Sequence, residues 1–420
     1  MNFFLLAATN VILFIGDGMS TPQRMVADEF ARYAGHAPLV INRMPHQATM
    51  RTCSASNLVT DSAASATAIA CGVKTYNGAI GVDPNHKSVY SIAYEAKKAG
   101  RKVGIATTVT INHATPSGFY GHRNHRGEGY GLGLDLLDSG FDFFAGGGAM
   151  NRNDKNYPGY RGDLYELAPK AGYKFIDHDR KAFDALKKGD KAWFVASTQE
   201  MPYSIDAAKW KDKPTLAEIT AKGLEVLEND KGFFFMIEAG KIDYAGHAND
   251  PAANLHDVLA LDDAVKTAIK WAKSHPDTLI VVTGDHETGG MTMGFAGTGY
   301  NLYMDKLAKQ KCSADYLTEQ IRSGKFKDFN ECFAFLKENF GMEDKDRGEL
   351  ESAWNRDRNG ALPTAVKLLV SHKSGLAWTS NTHTALPVLT TAMGRNADKF
   401  IGFMDNTDIA RILKEIVRNK

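Results

Sequence analysis

Apolar runs of strand length alternate with amphipathic stretches along most of the chain. Seven runs are predicted to be buried strands: Val11–Ile15, Lys102–Thr107, Phe141–Ala145, Ala192–Ala196, Gly232–Ile237, Thr278–Thr283 and Val388–Ala392. Helices are predicted between several of them. Continuous apolar strands separated by helices are typical of a parallel sheet that is covered on both faces. We therefore predict an α/β fold with a large, mainly parallel central β-sheet sandwiched between helices.

Three of the helices are well delimited by the sequence. Ser88–Ala99 starts with a capping residue and ends before a glycine, and Thr215–Leu227 begins with a Thr-x-x-Glu capping box. Asn254–Lys273 has apolar residues at helical spacing along one face. From about residue 301 to residue 366 the chain is charged and helical, and it then returns to the earlier alternation. We predict a single α/β domain over residues 10–420, with residues 301–366 as a helical insertion within it.

The composition limits the classes of function. The 420 residues include 50 basic and 49 acidic side chains, a net charge of +1, which gives no support for non-specific binding to nucleic acid or to a membrane surface. No apolar run approaches the ~20 residues of a membrane span. The N-terminus resembles the apolar core of a signal peptide without a basic start, and we interpret the residues before Val11 as a processed remnant or an artificial start.

The four cysteines do not form a Cys-x-x-Cys motif, so a thiolate zinc site is not expected. Cys312 and Cys332 lie in one segment and could pair, whereas Cys71 is expected to be a buried apolar residue.

One stretch, residues 57–78, combines a loop with the abrupt start of a helix of small residues. Asp61 is a favourable N-cap residue, and Ser62 takes the first helical position. The free N–H groups and the positive dipole at this end favour an alkoxide or a phosphate beside Ser62. The alternative is an N-capped core helix with an ordinary serine.

Polar side chains follow several of the predicted strands, where the sites of open α/β sheets form. Those that could converge with Ser62 are Asp17, His113 or Thr115, Glu238, Asp285 and His286. Asp243 and His247 are four residues apart and could share a helix face, and His383 is a further candidate. Mixed aspartate and histidine ligands suit Zn²⁺, whereas carboxylates, hydroxyls and water suit Mg²⁺. Taken singly, an aspartate at a strand end is more often a cap or turn residue. The candidates are Asp17, His113, Thr115, Glu238, Asp243, His247, Asp285, His286 and His383.

Two arginines, Arg123 and Arg126, follow the loop of His113. Either could present a planar fork to a phosphate group. The alternative is a solvated basic loop.

Together these motifs resemble the alkaline phosphatase family. The resemblance spans residues 11 to about 405 apart from the insertion, and its motifs occur in the order of the family. They are GDGM at 16–19, TDSAASATA at 60–68, HATP at 113–116, EAGKIDYAGHAND at 238–250, TGDHE at 283–287 and NTHT at 381–384.

The resemblance implies hydrolysis of phosphate monoesters to an alcohol and inorganic phosphate, with Ser62 as the nucleophile that becomes a phosphoserine. It also implies two Zn²⁺ and one Mg²⁺ per chain. Arg126, four residues after His122, resembles the phosphate-binding arginine, and Asp61 would orient it. The metal ligands carried over are Asp243, His247 and His383 for the first zinc, Asp17, Asp285 and His286 for the second, and Asp17, Thr115 and Glu238 for magnesium.

The sequence differs from the best-studied bacterial member at two positions. His113 stands where that enzyme has aspartate, and in this respect the chain resembles the animal-type enzymes. Tyr244 stands where that enzyme has lysine. Both changes concern the third metal site, for which His113 is a further candidate. In other members a segment like 301–366 forms a crown or lid.

The resemblance also implies a homodimer that is exported to the periplasm or the extracellular space. Two alternatives stay open. One is a phosphodiesterase or sulfatase of the same superfamily, although the sulfatase motif Cys/Ser-x-Pro-x-Arg is absent around Ser62. The other is a non-catalytic relative that binds phosphate or metal.

Overall fold

The computed structural model describes residues 10–206 and 209–418. Its strands are β1 Asn10–Gly16, β2 His46–Arg51, β3 Lys102–Thr110, β4 Phe143–Gly147, β5 Lys174–Asp177, β6 Ala192–Ser197, β7 Phe233–Ala239, β8 Thr278–Gly284, β9 Glu287–Thr288, β10 Met291–Met293, β11 Leu376–Trp378, β12 His383–Thr384, β13 Val388–Gly394 and β14 Gly402–Asp405. Its α-helices are α1 Thr21–Tyr33, α2 Ser62–Cys71, α3 Ile92–Lys98, α4 Ala114–Ser117, α5 Gly129–Ser139, α6 Leu164–Lys170, α7 Arg180–Asp184, α8 Leu216–Leu227, α9 Lys241–Ala248, α10 Pro251–Ala272, α11 Met304–Leu307, α12 Ala314–Arg322, α13 Phe329–Phe340, α14 Arg347–Asp357, α15 Ala361–Ser374 and α16 Asn406–Arg418.

A ten-stranded sheet forms the centre of the molecule, in the order β14-β2-β13-β8-β1-β7-β3-β4-β6-β5. All its strands run parallel except β13, which pairs antiparallel with β2 and β8. β1 is buried throughout; Ile12 and Phe14 join the core on one face, and Leu13 and Ile15 join the core on the other. The α/β fold with a mainly parallel, doubly covered sheet is confirmed.

All seven predicted strands are present, but the sequence prediction missed three strands of the large sheet. β2 and β14 lie at one end of the sheet and β5 lies at the other. β2 alternates between buried and exposed residues, and β5 and β14 have only four residues each. Strands of this kind lack the continuous apolar run by which the inner strands were predicted.

Two of the predicted helix caps are present, and two helices begin at other residues than predicted. Asp61 accepts a hydrogen bond from the Ala64 N–H (3.0 Å), and Thr215 forms the predicted capping box with Glu218. The predicted helix 88–99 begins later, after its cap Ser91, and the predicted helix 254–273 begins earlier, at Pro251. Asp250 caps that helix, and proline is well suited to its first position.

The helices α11–α15 extend over residues 304–374, so the helical segment continues past the predicted limit of 366. Two buried carboxylates connect its start to the rest of the chain. Asp206 accepts hydrogen bonds from the N–H and the hydroxyl of Ser313, and Asp250 accepts one from the Ala314 N–H. The division into one domain with an insertion stays a prediction.

Two further observations concern the described residues. All four cysteines there are free thiols, and Cys312 and Cys332 are both buried, so the pairing considered from the sequence is not formed. None of the described helices is long and apolar enough to cross a membrane.

Candidate active site

The central strands β1, β7 and β8 end at the same edge of the sheet and bring three carboxylates together there. Ile15 is level with Glu238, and Gly16 is level with Gly284. Asp17 and Asp285, which follow these glycines, therefore lie near Glu238, and all three carboxylates are fully buried. The parallel register explains why residues so distant in sequence meet at one place.

The turn after β1 requires a glycine at position 18. Gly18 has a φ of 73°, and its N–H donates to Asp285 Oδ1 (3.1 Å). A Cβ at this position would lie 2.7 Å from Thr288 Oγ1. The glycine thus permits both the left-handed turn and the close approach of the neighbouring loops.

Ser62 is the first residue of α2 and is buried against the same edge. Its Oγ lies 3.2 Å from His286 Nε2. That nitrogen also lies 3.3 Å from Asp17 Oδ1 and 3.3 Å from Asp285 Oδ2. The donor atoms of Asp17, Asp285 and His286 all lie within 4.8 Å of one another. Ser62 therefore stands directly beside a compact group of ligand atoms.

A second group consists of Asp243, His247 and His383. His247 Nε2 lies 3.4 Å from Asp243 Oδ2, and His383 Nε2 lies 3.5 Å from Asp243 Oδ1 and 3.2 Å from His247 Nε2. His247 Nδ1 lies 2.7 Å from the Asn381 carbonyl oxygen, and His383 Nδ1 lies 2.9 Å from the Thr60 carbonyl oxygen. Because a carbonyl oxygen only accepts, Nδ1 carries a proton in both rings, which leaves Nε2 as the nitrogen that can coordinate a metal.

The two groups adjoin. The rings of His286 and His383 stack with centroids 3.6 Å apart, and Asp243, His286 and His383 also offer ligand atoms within 4.8 Å of one another. Two cation sites could therefore lie side by side above Ser62.

A third group joins Asp17 to His113 and Glu238, whose donor atoms again lie within 4.8 Å of one another. Thr107 Oγ1 donates to Glu238 Oε2 (2.5 Å). Thr115 lies in the first turn of α4, two residues after His113 in the His-Ala-Thr motif, and its side chain is buried.

Many polar atoms of these groups have no hydrogen-bond partner among the described residues. They are Asp17 Oδ1 and Oδ2, Asp285 Oδ2, Glu238 Oε1, Thr115 Oγ1 and His113 Nδ1. Burial and the charge of Asp285 raise the pKa of Asp17 well above its ordinary value, and burial raises the pKa of Glu238 to about 7. Clustered, desolvated carboxylates of this kind are stabilised by bound cations, so the residues fit metal ions.

The imidazoles are suited to the same role. Burial and the neighbouring His383 lower the pKa of His286 well below its ordinary value. Burial and the charge of Arg126 lower the pKa of His113 to about 3. Both rings are therefore neutral, which is the form that coordinates metals.

The two candidate arginines have different surroundings. Arg123 donates to both oxygens of Asp135 and to Tyr157 Oη (3.0 Å). Arg126 Nη1 donates to Asp61 Oδ2 (3.2 Å), and its Nη2 lies 3.1 Å from His113 Nε2. The guanidinium of Arg123 is thus bound by Asp135 and Tyr157, whereas that of Arg126 connects the serine helix to the third group.

Asp61 links these parts. Its Oδ1 caps α2, and its Oδ2 accepts from Arg126 and from the Gly78 N–H (3.0 Å). One carboxylate thereby fixes the helix start that carries Ser62 and the guanidinium beside it.

The sequence analysis missed residues that contact the candidate ligands. Thr107 donates to Glu238, Thr288 Oγ1 donates to Asp243 (2.5 Å), and Ser65 Oγ donates to the Asp285 carbonyl (2.7 Å). Glu287 follows the candidate ligand His286 in the chain and accepts from Gln23, Thr384 and two backbone N–H groups. Ser65 and Glu287 lie within the quoted motifs and Thr288 directly follows one of them, which was the available signal.

Comparisons with known proteins agree with this geometry. The sequence model of the family described as alkaline phosphatase matches residues 8–418. The chain is 32% identical to alkaline phosphatase 4 of Bacillus subtilis over 425 residues, which covers 97% of this chain and 88% of that protein. It is 31% identical to the alkaline phosphatase of Escherichia coli over 66% of this chain and 70% of that protein.

Solved structures are also similar. The cold-active alkaline phosphatase of Shewanella sp. superimposes with a TM-score of 0.87 at 30% identity, covering 97% of this chain and 99% of that one. A histidine-to-aspartate variant of the alkaline phosphatase from the Antarctic bacterium TAB5, with Mg bound in its M3 site, has a TM-score of 0.71 at 27% identity and 99% coverage of both chains. The chain therefore belongs to the alkaline phosphatase family of phosphomonoester hydrolases.

Proposed function

We propose that the chain hydrolyses phosphate monoesters to an alcohol and inorganic phosphate through a phosphoserine on Ser62. The observation that carries this proposal is the position of Ser62 at a helix N-terminus, with its Oγ 3.2 Å from His286 Nε2. His286 belongs to the group of ligand atoms formed with Asp17 and Asp285, and Asp61, directly before Ser62, accepts a hydrogen bond from Arg126. A hydroxyl at a helix N-terminus is favoured as a nucleophile when cations bind beside it, because positive groups stabilise its anion.

Two Zn²⁺ and one Mg²⁺ per chain fit the ligand types. Asp243, His247 and His383 would hold the first zinc, and Asp17, Asp285 and His286 the second, because mixed nitrogen and oxygen donors suit zinc. Asp17, Thr115 and Glu238 would hold magnesium with oxygen donors. When bound, such cations neutralise phosphoryl charge and make the serine hydroxyl more acidic.

The chain's own residues account for positioning. Arg126 offers two parallel N–H groups to two non-bridging phosphate oxygens, and Asp61 holds that fork in place. Ser62 Oγ forms a bond to phosphorus as the bond to the leaving alcohol breaks. Water then attacks the phosphoserine, which releases inorganic phosphate and restores the hydroxyl.

Comparison of three p-nitrophenyl esters tests this function. We expect the phosphate monoester to be hydrolysed faster than bis(p-nitrophenyl) phosphate and p-nitrophenyl sulfate, because its dianionic terminal group interacts more strongly with Arg126 and bound cations than the monoanionic diester or sulfate does. Ser62→Ala should lose most activity and keep its metals. Labelled phosphate trapped at low pH should be found on Ser62.

Each alternative has its own outcome in that experiment. A preference for the diester or the sulfate would indicate a phosphodiesterase or sulfatase. Inactivity towards all three esters in the metal-loaded protein would indicate a non-catalytic phosphate- or metal-binding relative. Label on another residue would contradict the assignment of Ser62.

We further propose that the protein is a homodimer and is exported to the periplasm or extracellular space. Both proposals are supported by membership of the family alone. Light scattering of the purified protein, and fractionation of cells that express the natural gene, would test them.

A further inference from the structure

Thr288 lies between the two candidate zinc groups, although it offers no ligand in the assignment above. It is fully buried at the end of β9. Its Oγ1 lies 2.5 Å from Asp243 Oδ1 and 3.2 Å from His286 Nδ1. One hydroxyl therefore contacts a ligand proposed for the first zinc and a ligand proposed for the second.

The surrounding loops are packed against this residue. The Thr288 N–H donates to the Gly18 carbonyl (3.2 Å), directly after Asp17. A Cβ on Gly246, directly before His247, would lie 2.9 Å from the Thr288 carbonyl and 3.0 Å from its Cβ. His383 is the cross-strand partner of Thr288. The segments that carry the zinc-ligand candidates, after β1, on α9, after β8 and in β12, thus meet at Thr288.

The direction of the two hydrogen bonds follows from the number of protons. The Asp243 carboxylate only accepts when it is ionised, so the single Thr288 proton points to Asp243. The Thr288 oxygen then accepts from His286 Nδ1–H. This fixes the tautomer of His286 and leaves the lone pair of Nε2 facing Ser62, Asp17 and Asp285.

We infer that Thr288 is a positioning residue that orients ligands of both zinc sites through one hydroxyl group and so couples the affinities of the two sites. The inference rests on the proposed function, because it requires that Asp243 and His286 bind zinc. Outer hydrogen bonds of this kind fix ring orientation and tautomer, and their loss typically weakens metal affinity by about 10- to 100-fold.

Three variants separate the hydroxyl from the packing of the side chain. Thr288→Val keeps the shape and removes the hydroxyl, whereas Thr288→Ser keeps the hydroxyl and removes the methyl group. Thr220→Val is a matched control, because Thr220 is also fully buried but donates to the Leu216 carbonyl (2.8 Å) within α8. Zinc per chain is measured at a series of free zinc concentrations set by a chelator, and the absorption spectrum of the cobalt-substituted protein reports ligand geometry.

We expect Thr288→Val to need about 10- to 100-fold more free zinc to fill both sites, and to show an altered cobalt spectrum. Thr288→Ser and Thr220→Val should follow the wild type in both measurements, even where thermal melting shows lower stability. If Thr288→Val does not fold, Thr288→Ala is compared with Thr288→Ser: zinc binding that is weaker by 10-fold or more in the alanine variant alone supports the role of the hydroxyl, and equal zinc affinities of the two variants contradict it.

Wild-type zinc curves for Thr288→Val would overturn the inference, as would weakening of one site only. A wild-type chain that binds no zinc would instead overturn the proposed metal sites. The two failures are thus distinguished before any activity is measured.

Discussion

Two arginines close together in sequence have clearly different partners at the candidate site. Arg123 forms a two-bond salt bridge with Asp135, while Arg126 is held by Asp61, the residue that caps the serine helix. Both side chains are partly exposed, so their partners and not their exposure separate the two arginines. This difference supports Arg126 as the phosphate-binding residue.

Arg126→Ala should therefore lower kcat/KM for p-nitrophenyl phosphate by about 10- to 100-fold, as expected for the loss of hydrogen bonds to a charged group. The effect on bis(p-nitrophenyl) phosphate should be smaller, because a diester has fewer free oxygens for the fork. Arg123→Ala is the control, and its effect should be similar for both esters. If Arg123→Ala showed the ester selectivity instead, the assignment of the two arginines would be reversed.

His113 is the residue at which the third group differs most from an oxygen-only site. It lies with Asp17 and Glu238, and a neutral imidazole suits zinc better than magnesium. We therefore expect His113 to weaken magnesium binding at the third group, because magnesium prefers oxygen ligands.

Added Mg²⁺ should accordingly stimulate the wild type, and excess Zn²⁺ should displace it and inhibit. His113→Asp should bind Mg²⁺ more tightly and be less inhibited by zinc, because a carboxylate retains the waters of magnesium. Activity is titrated with Mg²⁺ at buffered zinc for both proteins. Superimposable curves would show that His113 has no influence on metal choice.

At the scale of elements, short helices at strand ends position the chemistry, and a long helix supports one of them. α9 presents Asp243 and His247 from one face, four residues apart. Behind it, α10 contributes the buried Asp257, which accepts a hydrogen bond from Ser204 Oγ (2.8 Å). Burial raises the pKa of Asp257 to about 7, although the hydrogen bond from Ser204 and the charge of Lys241 oppose this.

This pKa predicts a loss of stability as the pH rises. Because the folded value lies above the ~3.9 of an unfolded aspartate, the stabilising effect of the bound proton is complete only below about pH 4 and is lost as the pH rises through about 7. Relative to Asp257→Asn, the wild type should lose roughly 2 to 3 kcal/mol of unfolding free energy between about pH 5 and about pH 8.5. Denaturant unfolding of both proteins over this pH range, at a fixed free zinc concentration, measures the change in unfolding free energy.

Asp263→Asn is the matched control, because Asp263 is exposed on the same helix. The difference in unfolding free energy between Asp263→Asn and the wild type should stay constant over the same pH range. A constant difference for Asp257→Asn as well would contradict the raised pKa.

At the scale of the whole molecule, the sheet concentrates negative charge at its centre. Asp17, Glu238 and Asp285 are fully buried, and several of their oxygens have no hydrogen-bond partner among the described residues. Such a cluster destabilises the metal-free fold and is stabilised by cations, so binding and folding are linked.

Asp17→Asn should for this reason have opposite effects in two conditions. In the presence of a strong chelator the variant should be more stable than the wild type by about 1 to 3 kcal/mol, because one buried charge is removed. At saturating free zinc it should be less stable, because a proposed ligand to two metals is weakened. Thermal midpoints in both conditions measure the change, and shifts of the same sign in both would contradict the prediction.

The sequence by itself determined the inner strands, the capped start of α2 and the order of the motifs, because these depend on local signals. Buried runs such as Val11–Ile15 are continuous, and Asp61 caps its own helix. Only the tertiary structure decided the pairing of the outer strands β2, β5 and β14, whose apolar pattern is too short or too alternating. It also decided the partners of Arg123 and of Thr288, because both depend on contacts between distant segments that no local pattern encodes.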